Sequence, residues 1–211
     1  KVVSSKNHPD LDKYSADQPD LSIHPVNSKK FIVAKELYDY YKDELKDFDI
    51  ELIPSYNEIL SKYPKDCLLN VGRIGSSYIH NNYTDIRLED ELENNKINHI
   101  FVKQGYSKCS TLDLNYDTII TQDKGIHKAV KNSGYNSYLI EPGDILLEGY
   151  NTGFIGGVGG LISKNKMLLS GNPKTYTYGD KLINILEEYE IEPIFPDLCF
   201  TDIGSIIPIK E

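Results

Sequence analysis

Apolar residues fall along this chain in two alternating patterns: short continuous runs of strand length, and positions three and four apart, as on one face of a helix. The stretch "FIVAKELYDYYKDELKDFDIELIP" predicts a strand at Phe31–Ala34, an amphipathic helix, and a strand ending near Pro54. "TIITQDKGIHKAVKNSGYNSYLIEPG" predicts the same order, its helix starting near Asp123 and stopping at Gly134. "MLLSGNPKTYTYGDKLINILEEYEIEPIFPD" predicts it once more, with a helix from about Asp180. "SYIHNNYTDIRLEDELENNKINHIFVKQ" is a shorter version.

Ahead of the first, third and fourth helices in chain order stand "LSIHPVNSKK", "CSTLDLNYD" and "GLISKNK". Each sets polar turn residues between two apolar runs, which is hairpin chemistry. The recurring unit is therefore strand, turn, strand, helix, strand. Its copies occupy about 20–66, 67–106, 107–152 and 153–198, and 199–211 is the start of a fifth. A repeat of this size predicts one modular domain in which each unit buries its apolar face against its neighbours. Closing a ring would require the N-terminal part to complete the fifth unit, yet "KVVSSKNHPDLDKYSADQ" carries almost no strand or helix pattern. The expectation is that an upstream strand–helix–strand segment lies outside this sequence.

The stretch "GFIGGVGGLIS" holds five glycines in eleven residues. From Gly157 the dinucleotide fingerprint finds a glycine at its third position, Gly159, but Ile162 at its sixth, and no Gly-Lys-Ser/Thr follows to make a P-loop. The glycines read instead as a unit junction where backbones crowd near an axis, with "NVGRIG", "KQGYSKC" and "TDIGSI" as similar junctions. The opening toward a central cavity keeps this stretch available as a ligand floor.

Composition narrows the function classes. The 211 residues carry a formal charge of −9, and Arg73 and Arg87 are the only arginines. An acidic chain poor in the residue favoured for phosphate and base contacts is not expected to bind nucleic acid. No apolar run approaches the roughly 20 residues of a membrane helix, so no membrane partner is expected either. Cys67, Cys109 and Cys199 lack CxxC spacing, so neither a disulfide framework, a metal site nor a cofactor is expected, and a reducing cytoplasm is the simplest location. Abundant Lys, Asn, Ile and Tyr match the usage of an AT-rich bacterial genome.

The unit order, with "HPVNSKK", "NVGRIG", "VKQGYSKCS", "ITQDKGI", "GFIGGVGGLI" and "DIGSIIPI", resembles the pentein superfamily, and most closely an uncharacterised bacterial family of that fold. The resemblance implies a five-fold pseudo-symmetric α/β propeller built from strand–strand–helix–strand repeats. It also implies guanidino-group chemistry, in which a cysteine attacks the guanidinium carbon, a histidine moves protons and carboxylates hold the cation. Residue by residue the carry-over is incomplete. Ser107 stands at the histidine position, Gly204 or Ser205 at the cysteine position, and Pro25 and Val26 replace an acidic pair, while Asp20 keeps one acidic anchor. Standard deiminase or dimethylargininase activity is not expected.

A strand periodicity of two adds a further expectation. It would place Ser107 and Cys109 on one strand face, and Asp20, Ser22 and His24 on another. Cys109, His24 and Asp20 would then meet at the centre as nucleophile, base and orienter. Asn70, Ser107, Asp202 and Ser205 join Asp20 as candidate ligand contacts. The plainer readings are a small buried hydrophobe for Cys109 and a turn residue before Pro25 for His24. Three functions follow: binding of a small polar molecule of guanidino or amino-acid type in an acidic central channel; amide or amidine hydrolysis by Cys109; or a protein- or ribosome-interaction role.

Overall fold

The structure, a computed structural model, describes residues 2–209. Its strands form four separate three-stranded sheets of one design. The first contains β1 (Ile23–Asn27), β2 (Lys30–Val33) and β3 (Glu51–Pro54), with α1 (Tyr38–Glu44) between β2 and β3. The second contains β4 (Gly72–Ile74), β5 (Ser77–His80) and β6 (Asn98–Phe101), with α2 (Ile86–Asn94). The third contains β7 (Thr111–Asn115), β8 (Thr118–Thr121) and β9 (Asn136–Leu139), with α3 (Lys124–Asn132). The fourth contains β10 (Gly159–Ser163), β11 (Lys166–Leu169) and β12 (Glu192–Ile194), with α4 (Gly179–Glu188). In each, an antiparallel hairpin is followed by a helix and a third strand running parallel to the hairpin's second.

Local chemistry explains the elements. The side chains of Asn27 and Asn115 accept from the backbone N–H two residues on, at 2.9 and 3.0 Å, and so fold the first and third hairpin turns. Those hairpins and the fourth share a register shift, between Pro25/Asn27, Asp113/Asn115 and Leu161/Ser163. The second hairpin has no such shift and turns at Gly75, whose φ of +52° lies in the left-handed region. "NVGRIG" is thus a strand and its turn, not only a junction. The sequence pattern misses this hairpin because β4 has just three residues. Asp85 and Asp123 cap α2 and α3 by accepting from the backbone N–H groups of Leu88 and Ile126.

The cores lie between successive units. Val26 and Ile32 of the first sheet pack with Leu88 and Leu92 of α2. Ile79 of the second packs with Ile126 and Val130 of α3. Leu112, Leu114 and Ile120 of the third pack with Leu182, Ile185 and Leu186 of α4. α2, α3 and α4 therefore each cover the sheet before their own, while α1 packs through Tyr41 on the first sheet, its own. Between the fourth sheet and the first lies a cavity of about 1070 Å³, walled by Phe31, Tyr41 and Leu45 on one side and Ile162 and Leu168 on the other. No helix among the described residues is long and apolar enough to cross a membrane.

Candidate functional site

Near the common centre, residues from every unit meet in one buried polar cluster. Asp20 enters on a short 3-10 turn, Pro19–Leu21, and Cys109 on the turn of residues 107–110 ahead of β7. The turns meet through Asn70, which lies just before β4. Its side-chain oxygen accepts from the backbone N–H of Lys108 and Cys109, at 2.9 and 3.1 Å. Its Nδ2 donates to the Asp20 carbonyl at 3.2 Å and to Cys109 Sγ at 3.0 Å. Cys109 Sγ in turn donates to Asp20 Oδ2 at 3.1 Å.

Ser205 reaches the same carboxylate from the C-terminal segment. Its Oγ lies 2.7 Å from Asp20 Oδ2 and 2.8 Å from the carbonyl oxygen of Gly156. A hydroxyl has one proton, and a carbonyl can only accept. Ser205 therefore shares its one proton between Asp20 Oδ2 and the Gly156 carbonyl. Burial raises the pKa of Asp20, against weaker lowering by Cys109 and Ser205. Its Oδ1 is buried and has no hydrogen-bond partner.

Asp202 is the second acid, and its partners differ in kind. Gln18 Nε2 and the Gly204 N–H donate to Oδ1 at 3.3 and 3.0 Å, and the Phe154 N–H donates to Oδ2 at 2.8 Å. Burial, then the charge of Asp20, pushes its pKa up to about 7, while the Phe154 and Gly204 N–H groups lower it. All three partners can only donate in these contacts, so Asp202 is the member of the pair built to hold the negative charge. Gly153 and Gly157 make room for it, while Gly156 packs against the turn that carries Cys109. A Cβ on Gly157 would lie 1.8 Å from Asp202 Oδ1, and one on Gly156 would lie 2.3 Å from the Lys108 and Thr111 carbonyl oxygens. The glycine-rich stretch is thus a place of close backbone approach at the cluster's wall.

The strand-face expectation fails at both places where it was applied. Residues 107–110 form a helical turn, closed by Ser110 N donating to the Tyr106 carbonyl, and Pro19–Leu21 is a 3-10 turn. Alternation by two does not operate in either. Ser107 consequently turns away: its Oγ donates to the Gln104 carbonyl at 2.9 Å. His24 lies on β1 and makes no hydrogen bond to Cys109 or Asp20; its Nε2 is buried without a partner. Burial, followed by the charges of Arg73, His80 and Lys108, drives its pKa well below 6.5. The structure therefore brings together Asp20, Asn70, Cys109 and Ser205 with Asp202 beside them, and leaves Ser107 and His24 out.

Cys109 is itself held as a thiol. Burial, then the charges of Asp20 and Asp202, raises its pKa well above the ordinary 9.0. Gln18 is the contributor that sequence reasoning missed. It sits in a stretch without periodicity, and its only local signal is its place before Pro19. Gln18, Asp202 and Ser205 also line the cavity between the first and fourth sheets, which links the cluster to the surface.

Four sheets of this design around a buried polar centre define a pentein fold, that of the guanidino-group-modifying enzymes. The chain is similar to SxtG, an amidinotransferase from Microseira wollei in the saxitoxin biosynthetic pathway, at a TM-score of 0.55 and 11% identity. It is similar to the inosamine-phosphate amidinotransferase of Streptomyces griseus at 0.52 and 12%, and to a mutant DDAH from Pseudomonas aeruginosa complexed with citrulline at 0.51 and 9%. These matches cover 86%, 90% and 86% of this chain and 64%, 65% and 69% of the other chains, in that order. The chain thus spans just under two thirds of each amidinotransferase. Residues 1–207 match the model described as "Family of unknown function (DUF6873)", and the chain belongs to that family. No curated protein matches it significantly.

Proposed function

We propose that the protein binds a small cation of guanidino or amino-acid type at the Asp20–Asp202 pair, and does not cleave it. The observation that carries this reading is the Asp20 carboxyl: buried, with Oδ1 unpartnered, beside a second buried acid. Neither carboxylate forms an ion pair within 4 Å among the described residues. A guanidinium or ammonium group would satisfy Oδ1 with a charge-assisted hydrogen bond and relieve the repulsion between the acids. Catalysis by Cys109 is disfavoured because burial and two acids hold its thiol protonated, and its side-chain partners are Asn70 and the Asp20 carboxylate rather than a histidine.

The test is calorimetric titration with agmatine, arginine and methylguanidine. One of them should bind at millimolar concentration or below, and Asp20→Asn should weaken it by about tenfold or more. Affinity should fall as pH drops through about 7, where Asp202 takes up a proton. Failure of all three cations at pH 8, or binding indifferent to both Asp20→Asn and Asp202→Asn, would remove this reading.

A further inference from the structure

The strands β4 and β7, first in the second and third sheets, run side by side. A Cβ on Gly72 would lie 3.1 Å from Thr111 Oγ1, and at the far end the Gly75 N–H donates to the Tyr116 carbonyl at 2.6 Å. Between these two contacts lie Arg73 on β4 and Asp113 on β7. Register puts them at equivalent positions, opposite Tyr78 and Ile119. The same position holds Pro25, opposite Phe31, in the first sheet and Leu161, opposite Met167, in the fourth. All four residues are half-buried. Apolar residues fill the position in two of the sheets, so a charge there is not what the fold requires.

The charges at these positions are poorly partnered. Arg73 is one of two arginines in the chain. Its Nη1 donates to the Pro25 and Val26 carbonyl oxygens at 3.4 and 3.2 Å, and its Nε is buried with no hydrogen-bond partner. Among the described residues it forms no ion pair within 4 Å. Burial lowers its pKa and the charge of Asp113 opposes that shift, so the two groups sense each other without meeting. Lys108 Nζ lies 3.7 Å from Asp113 Oδ2 and 3.4 Å from the Thr111 carbonyl oxygen, both long for an ammonium donor. Asp113 Oδ1 is buried without a partner. Two cations short of acceptors and one carboxylate oxygen short of a donor thus share one place. Arg73 stands three residues, roughly 10 Å of extended chain, beyond Asn70 of the acid cluster.

We propose that Arg73, Lys108 and Asp113 form a binding site for free hydrogen phosphate. The guanidinium and the ammonium donate to phosphoryl oxygens, and the P–OH donates to Asp113 Oδ1. That last contact sets the selectivity. Inorganic phosphate keeps a P–OH at neutral pH. Sulfate has no proton there, and a phosphomonoester, with a second pKa of about 6, has mostly lost its own. Either would set two acceptors against each other at Asp113. All three side chains are half-buried, so their charged ends can turn toward an entering ion. The site shares no residue with the Asp20–Asp202 pair, so it stands whether or not that pair binds a cation.

The test is calorimetric titration of the whole chain with inorganic phosphate at about pH 7.5, where a phosphomonoester is largely dianionic, in a buffer free of other oxyanions. Saturable binding at about 1 mM or below is expected. Sulfate and glycerol phosphate should each bind at least about tenfold more weakly, since each leaves Asp113 facing an acceptor. Arg73→Gln should weaken phosphate by about tenfold or more, with circular dichroism to check that the variant folds. Asp113→Asn is the more conservative variant and carries the sharper outcome. An amide can donate to an oxyanion, so sulfate should then bind within about threefold of phosphate. The proposal is overturned by the absence of saturable phosphate binding, or by phosphate binding that a folded Arg73→Gln variant retains in full. It is equally overturned if the parent protein takes sulfate or glycerol phosphate as tightly as phosphate, or if Asp113→Asn still excludes sulfate.

Discussion

His24 and Asp202 are both buried polar residues near the centre, and both are candidates for chemistry, but their surroundings act on them in opposite senses. Asp202 is 4% exposed and accepts three N–H donors, yet burial and its acidic neighbour still hold its pKa near 7. His24 is 3% exposed, its Nε2 has no partner, and it stays neutral far below its ordinary pKa. Register adds to the contrast. The position opposite the central apolar residue of the second strand is His24, Gly72, Leu112 or Gly160 in the four sheets. A place filled by an imidazole, an isobutyl group or no side chain is a packing place. Asp202 instead receives three N–H donors and has Gly153 and Gly157 pressed close around its carboxylate. Burial alone does not mark a functional group; the partners arranged around it do.

The largest test of that contrast is Gly156→Ala. Its Cβ would meet three backbone carbonyls, those of Lys108, Thr111 and Cys109, which cannot move aside as a side chain could. A loss of about 3 kcal/mol or more in urea unfolding is expected, beyond the upper end of ordinary overpacking. Stability near that of the parent would mean the wall of the acid cluster is not the rigid element described.

The pH dependence comes next, and its sign separates the two residues. The pKa of Asp202 is higher in the folded chain than in the unfolded one. Its contribution is therefore fully present below about pH 4 and is lost as pH rises to about 7, on the order of 4 kcal/mol in all. The pKa of His24 is lower in the folded chain, so its contribution is present above about pH 6.5 and is lost as pH falls. Relative to the parent, Asp202→Asn should therefore gain stability as pH increases from 4 to 7. His24→Leu should do the reverse, gaining about 2 kcal/mol at pH 5 and less than about 1 kcal/mol at pH 8, where only the unpaired nitrogen is relieved. Difference curves of one sign for both variants would break the comparison.

The smallest effect is a rate that should stay near zero. With Cys67 and Cys199 changed to alanine, Cys109 should resist iodoacetamide in the folded protein at pH 8 and react on unfolding, since burial and two acids keep it protonated. Labelling in the folded state at the rate of a free thiol would restore Cys109 as a nucleophile.

Much of the scaffold was legible because its causes are local. The strands around Phe31, Ile119 and Met167 and the helices from Asp123 and near Asp180 follow from apolar period and capping within a few residues of each element. The glycines at 156 and 157 were legible as places of close approach, though not as the wall of an acid pocket. The polar centre was only half legible. Asp20, Asn70, Cys109, Asp202 and Ser205 stand out in the sequence, but a period of two links Cys109 to Ser107 and Asp20 to His24 only on strands, and both segments are short helical turns. Gln18 has no periodic signal at all.

What the sequence determined by itself is the repeated unit, because a hairpin, a capped helix and a returning strand are set by neighbours in the chain and recur wherever that pattern recurs. What only the tertiary structure decided is which turns face one another. Asn70 selects the turn at Cys109 from 39 residues away, and Ser205 meets Asp20 across 185. Those separations are bridged by sheets packing around a centre, and the direction of a side chain on a turn depends on that packing rather than on any period in the sequence. The same holds for the uncovered fourth sheet. Ile162 and Leu168 read like Val26 and Ile32 along the chain, and only their place at the cavity, with no helix of the described residues over them, sets them apart.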